Sequence, residues 1–328
     1  MTQPPAAAAR LDSVSVPVPE KKSIKRPAPG RDDRPLKGVV LVLLSSVFLG
    51  CSDITSKYLA ASLPAIEITW IRYLIFALIM VPAMLPVSPL YAMRTKRPVL
   101  QTMRGLAMLG SALLFIMGLR FLPIAEVSAT TFVSPLFVTA LSIVFLGEKV
   151  GVRRWIATAV GLGGVLIVLR PGSSAFHPAA FFAIATALAW AIMLILTRMM
   201  AGTEQVMTTL VYSALAGLAV LTVMVPFVWV APTGHDILFC ILAGIASTAG
   251  QLAVIFAYRY GDASVLAPFS YVQLLWVSIL GSFIFGDVPD VWTITGAAFI
   301  VASGLYIAHR ERVRRLQLLA QKRRSPKA

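Results

Sequence analysis

The stretch GVVLVLLSSVFLGCSDITSKYLA, residues 38–60, decides the fold class: it is largely apolar, and its only charges are Asp53 and Lys57. At about 1.5 Å per helical residue its length matches a hydrocarbon core of roughly 30 Å. Nine more apolar segments follow, near 65–87, 103–120, 124–147, 155–169, 178–197, 207–231, 237–258, 263–286 and 291–308. In lipid each backbone N–H must find its acceptor within its own segment, so these segments predict helices rather than open strands. The expected fold class is therefore all-α integral membrane, with ten transmembrane helices.

Composition points the same way. Of 328 residues, 58% are hydrophobic and 13% charged, and the two ends, 1–37 and 308–328, hold 21 of the 43 charged residues. So apolar an interior excludes a soluble enzyme, a nucleic-acid-binding domain and a disordered chain as readings of the whole. The net charge of +15 comes largely from the ends, and the anionic inner leaflet of a membrane accounts for it without any nucleic acid. Residues 1–37 read as a disordered cytoplasmic tail with no cleavable signal peptide, and residues 309–328 as a basic cytoplasmic tail. There Arg310 to Arg324 interleave with Val313, Leu316 and Leu319, which predicts a short amphipathic helix on the anionic leaflet.

With both termini cytoplasmic, 25 Lys and Arg fall on the inner side, Arg104 counted among them, against Lys57, Arg120 and Arg170 outside. The chain also matches itself. Ser45–Ala60 aligns with Thr186–Ala201 at an offset of 141, pairing Lys57 with Arg198. Arg120–Glu148 aligns with Arg259–Asp287 at an offset of 139, pairing Gly147 with Gly286 and Glu148 with Asp287. Five spans per half is an odd number, so the expected architecture is two inverted five-helix repeats, residues 38–171 and 172–308.

The runs Arg120-Phe-Leu-Pro-Ile-Ala-Glu126, Ser134-Pro135-Leu-Phe137, Leu146-Gly-Glu-Lys-Val150 and Gly161-Leu-Gly-Gly-Val-Leu-Ile-Val-Leu-Arg-Pro171 resemble the drug/metabolite transporter superfamily, EamA-type. The resemblance covers about residues 38–308 and continues in Arg259 and Phe285-Gly-Asp287. It implies a ten-helix bundle with a substrate cavity between the halves, working by alternating access. It also implies a metabolite as cargo, as in amino-acid exporters and importers of S-adenosylmethionine and riboflavin. Ser52-Asp53 and Ser56-Lys57 in span one, with Trp70-x-Arg72-Tyr73 in span two, resemble the proteobacterial subgroup with riboflavin importers, which makes riboflavin uptake in the inner membrane the leading expectation. Leu274 stands where span four has Pro135, and Pro268 comes earlier, which leaves open whether spans four and nine bend alike.

Asp53 and Lys57 lie one helical turn apart, and a charge near the bilayer centre costs about 2.5–3.5 kcal/mol, so both should face the interior. They form either a mutual ion pair or, with Asp53 as a proton or cation site, part of a gate. The aligned second-half residue at Asp53 is Leu194. Glu67, Arg72, Arg120 and Glu126 fall toward the outer mouth, as interhelical salt bridges or, for Arg72, as a substrate contact. The residues aligned with Glu67, Arg72 and Glu126 are Thr208, Ser213 and Val265. Pro135 removes a backbone hydrogen bond at the middle of span four and predicts a kink. Thr130, Thr131 and Ser134 beside it, with Ser270, Tyr271, Gln273 and Trp276 of span nine, are expected to line the substrate cavity or to act as interhelical glue. Gln251 and Trp190 are further lining candidates. Gly161, Gly163, Gly164, Gly296 and Gly304 suit close helix packing.

Cys51 and Cys240 have no paired spacing, and His177, His235 and His309 fall at span ends. No metal, cofactor or catalytic constellation is expected, so enzyme chemistry is set aside. No phosphate-cradling loop suggests ATP use. The other classes to weigh are a lipid-linked flippase and a structural membrane protein. Ten spans with an inverted repeat favour a self-contained carrier of a small molecule.

Overall fold

The computed structural model describes residues 35–84, 95–147, 152–173, 176–200, 203–260, 266 and 269–324; the tail up to residue 34, Glu148 and Pro268 lie outside them. Among the described residues every regular element is helical. The helices are α1 (Pro35–Leu59), α2 (Ala65–Met84), α3 (Pro98–Leu119), α4 (Ile124–Thr131), α5 (Ser134–Leu146), α6 (Val152–Leu169), α7 (Ala180–Met199), α8 (Val206–Met224), α9 (Gly234–Tyr260), α10 (Val272–Phe285) and α11 (Val291–Arg324).

Eight stretches are long and apolar enough to cross a membrane: α1, α2, α3, α4 with α5, α7, α8, α9 and α11. Trp155–Leu169 of α6 and Val272–Phe285 of α10 are apolar but shorter. The outer faces carry large apolar side chains such as Phe283 (85% exposed), Val144 and Leu166. Such a surface suits lipid and would drive aggregation in water.

The packing follows one exchange rule. If α1, α2, α3, the α4–α5 pair and α6 are matched in order with α7, α8, α9, α10 and α11, every major contact maps onto another. α1 lies along α9 as α7 lies along α3; α1 meets α10 as α7 meets α5; α2 meets α9 as α8 meets α3. The pairs α2 with α8, α6 with α11 and α4 with α10 map onto themselves. α5 and α10 also end alike, on Gly147 (φ 65°) and Gly286 (φ 71°), left-handed caps that glycine adopts without a Cβ clash.

The α6–α11 crossing needs its small residues. A Cβ on Gly164 would lie 2.8 Å from Gly296 O, and one on Gly296 would lie 2.5 Å from Gly164 O. Gly161 and Gly304 are also closely approached, by Ser303 and by Tyr271, whereas Gly163 has nothing within 4 Å. Four of the five glycines therefore stand at close contacts.

Two expectations change. Span four is interrupted rather than only kinked, with Phe132 and Val133 between α4 and α5. The basic C-terminal segment is not a separate helix: α11 runs unbroken for 34 residues, about 50 Å, well beyond a hydrocarbon core of roughly 30 Å. No Gly or Pro occurs from Leu305 to Arg324, and the Leu, Arg, Gln, Ala and Lys there favour continuation.

Gly164→Leu should lower stability by about 1–3 kcal/mol through overpacking, measured by thermal unfolding in detergent. Gly163→Leu should leave the midpoint nearly unchanged, because open space receives the side chain.

Candidate functional site

The interruption of span four begins with Pro135, which has no N–H to give Thr131 O. Leu136 N–H then turns to Val133 O (2.9 Å), three residues back, and Val133 N–H to Thr130 O (3.1 Å). A second interruption lies at Tyr271, where Leu274 N–H donates to Tyr271 O (3.0 Å) and α10 starts afresh. Span nine thus breaks as span four does, with leucine at the position aligned with Pro135. The two breaks touch: the rings of Phe132 and Tyr271, aligned at the offset of 139, are 5.1 Å apart. Around them Thr130 Oγ1 and Ser128 Oγ are buried without a hydrogen-bond partner among the described residues. Ser134 is buried, and Thr131 and Ser270 are half-buried. Thr131 Oγ1 donates to Val127 O (2.9 Å). Buried hydroxyls without partners cost about 1–3 kcal/mol, so this is where a polar ligand or water gains most.

Charged groups of α1 and α2 reach the same helices. Gln273 Nε2 of α10 donates to Asp53 Oδ2 (2.8 Å), and Arg72 Nη1 donates to Ser56 Oγ (3.1 Å). Arg72 and Asp53 also interact electrostatically. The lipid-facing stripe of α1 runs through Val40, Leu44, Val47, Cys51 and Tyr58. Asp53 points away from that stripe yet is only half-buried, as are Arg72 and Gln273.

Lys57 does not pair with Asp53. It forms a salt bridge with Asp287 (2.9 Å) and donates to Leu122 O (2.8 Å). Arg170 bonds Asp290 (2.8 Å), its backbone at φ 46° in the left-handed region. Partial burial raises the Asp290 carboxyl, but hydrogen bonds from Thr293 and the Arg170 guanidinium outweigh it and hold the group below the usual carboxylate range. Both pairs join α1 or α6 to the residues between α10 and α11. At that same end Glu67 Oε2 accepts from Val230 N (3.1 Å), and Ser62 donates to Asp236 (3.2 Å). Glu126, half-buried in the first turn of α4, interacts electrostatically with Arg170 and Asp290. Arg120 is exposed at the cap of α3 and joins no interior group.

Two expected lining residues sit elsewhere. Trp276 is 41% exposed and shares the outer face of α10 with Leu275, Ile279 and Phe283. Trp190 packs against the cluster of Phe76, Met80, Met108 and Leu210, away from the Phe132–Tyr271 contact. Gln251 is half-buried on α9. One residue was missed altogether: Arg104, taken as an inner-side charge, is buried within α3, because that helix starts at Pro98 rather than near 103. Among the described residues no group of His, Cys, Asp and Glu could hold a metal ion.

The separate partners of Asp53 and Lys57 have a measurable consequence. A double-mutant cycle on Asp53→Leu and Lys57→Leu should give a coupling below about 0.5 kcal/mol, and one on Lys57→Ala and Asp287→Ala about 1–3 kcal/mol, read by thermal unfolding.

Comparison with known proteins gives relatives of matching length. The S-adenosylmethionine uptake transporter of Rickettsia prowazekii is 27% identical over 84% of this chain and 94% of its own. The riboflavin transporter of Rhizobium johnstonii is 29% identical over 85% and 93%, and that of Vibrio cholerae 27% over 84% and 94%. A solved crystal structure, 20% identical, superposes over 85% of this chain and 98% of its own with a TM-score of 0.59, which shows a shared fold. The model of the EamA-like transporter family matches residues 36–170 and again 177–308. The chain therefore belongs to the EamA-like transporter family, as a multi-pass membrane transporter of small metabolites and not an enzyme.

Proposed function

We propose that the chain is a secondary transporter of the bacterial inner membrane that takes up S-adenosylmethionine, or a close zwitterionic nucleoside, by alternating access. The observation that carries this reading is that Asp53 and Arg72 present opposite charges beside each other without forming a salt bridge, Asp53 held by Gln273 of the second half and Arg72 by Ser56. An amino-acid moiety bears one ammonium and one carboxylate, and Asp53 and Arg72 supply a partner for each. The sulfonium of S-adenosylmethionine adds a positive charge on the Asp53 side. The relatives named as S-adenosylmethionine uptake transporters support the choice.

Two inverted five-helix repeats, residues 38–171 and 172–308, with both termini cytoplasmic, are the scaffold of this reading. The exchange rule in the packing supports the repeat, and the excess of basic residues supports the orientation. So do cross-half bonds sorted to opposite ends of the helices. Lys57–Asp287 and Arg170–Asp290 lie at one end, Arg97 Nη1 to Met199 O (3.0 Å) and Lys96 N to Glu204 Oε1 (2.9 Å) at the other. Opening one end while the other stays closed is what alternating access requires.

Riboflavin is the second reading, favoured by the Phe132–Tyr271 ring pair and the Gln273 amide, which suit a flat heterocycle with a polar edge. Uptake of radiolabelled S-adenosylmethionine and of riboflavin by cells making equal amounts of each variant separates the two. Asp53→Asn should lower S-adenosylmethionine uptake at least about tenfold, since the paired charge is lost, and leave a neutral flavin within about twofold. Tyr271→Leu should do the reverse. Riboflavin uptake that depends on Tyr271, with no S-adenosylmethionine uptake, replaces the first reading with the second; uptake of neither moves the assignment to a metabolite exporter.

A further inference from the structure

Arg104 is 8% exposed on α3 and is held by two hydroxyls and no carboxylate among the described residues. Its Nε donates to Thr197 Oγ1 of α7 (2.7 Å), and its Nη1 donates to Ser213 Oγ of α8. Each hydroxyl spends its own proton on its helix, Thr197 on Met193 O and Ser213 on Thr209 O, both at 2.7 Å. Their oxygens are thereby fixed as acceptors toward the guanidinium. Two donors of Arg104 are occupied, and a guanidinium has five.

The place is not arbitrary. At the repeat offset of 141, Thr197 corresponds to Ser56, Met193 to Ser52 and Ser213 to Arg72. In the first half Arg72 donates to Ser56 Oγ, and Ser56 Oγ donates to Ser52 O (2.7 Å). The second half keeps the hydroxyl and its bond to the helix but has Ser213 in place of the arginine. Arg104, arriving from α3 of the other half, puts a guanidinium against Thr197 as Arg72 puts one against Ser56. The two stations differ in charge: Arg72 has Asp53 beside it, and the residue aligned with Asp53 is Leu194. Tyr73, 5% exposed, packs its ring against Gly217, one helical turn from Ser213 on α8, interacts electrostatically with both arginines, and has a buried Oη without a hydrogen-bond partner among the described residues.

We propose that Arg104 and Tyr73 Oη form a carboxylate-binding station on the inner half of the transport path, the counterpart of Arg72 on the outer half. The guanidinium supplies its unused donors and the phenol its O–H, so a carboxylate entering the station satisfies both and neutralises a buried charge. This rests on the reading of the cargo as a zwitterion only in naming the cargo's carboxylate as the ligand.

The test uses the full chain in nanodiscs, with formate as the probe, thermal unfolding as the first readout and uptake of S-adenosylmethionine as the second. Formate at about 50 mM should raise the midpoint by about 2–4 °C in the wild type and in Arg120→Gln, which controls for general anion effects. Arg104→Gln should lose the rise. Tyr73→Phe removes a hydroxyl that bonds to nothing, so it folds, and it should lose at least about half of the rise. No rise in the wild type, or an undiminished rise in Tyr73→Phe or Arg104→Gln, overturns the station. An Arg104-dependent rise without S-adenosylmethionine uptake leaves the station standing and sinks the substrate reading. Uptake without such a rise does the opposite.

Discussion

Backbone hydrogen bonding in lipid is the constraint on which the rest depends. A helix that crosses the bilayer can break only where protein, water or ligand takes up the released carbonyls. Both breaks in this chain obey that rule by meeting each other, Phe132 against Tyr271, inside the bundle. Among the described residues, the backbone released at these two breaks therefore meets inside the bundle, near the buried hydroxyls of Ser128 and Thr130, which have no hydrogen-bond partner there. The same place receives Gln273, which carries Asp53 across from the first half.

Charge obeys a parallel economy. Each interior cation has a distinct structural answer: Lys57 has Asp287 and a carbonyl, Arg72 has Ser56 and the nearby Asp53, and Arg104 has two hydroxyls. Because a buried guanidinium without a carboxylate is the costliest of the three, it is also the one whose persistence most needs a further partner.

Much of this was legible in the sequence. The apolar spans, a disturbance at Pro135 and the pairing of Gly147 with Gly286 follow from the sequence, and the self-match at offsets of 141 and 139 anticipates the exchange rule in the packing; that span four breaks outright was not read there. The side a residue faces was harder to read. α10 is apolar all round, so no periodicity distinguishes Trp276 on its outer face from Gln273 on its inner one. Nor does helical spacing reveal partners: Asp53 and Lys57 share a face by register, but Gln273 of α10 takes the one and Asp287 just beyond α10 the other. Arg104 was hidden by a five-residue error in a helix start. The signal that exposes it is the repeat itself, since Thr197 and Ser213 preserve the setting of an arginine that their own half lacks.

The asymmetry between the halves bears on direction. A carrier with two equivalent stations would hold an anionic group equally well in its two states, and a cargo would exchange without preference. Here the outer guanidinium shares its site with Asp53, whereas the inner one has Leu194 in that place. A ligand bearing both charges is matched at the outer station, while at the inner one its carboxylate is held and its cation is not. On the proposed reading the same zwitterion meets a closer charge match at Arg72 than at Arg104, so the asymmetry bears on direction only through where the cargo is held and released, while net direction follows the gradient that drives the carrier.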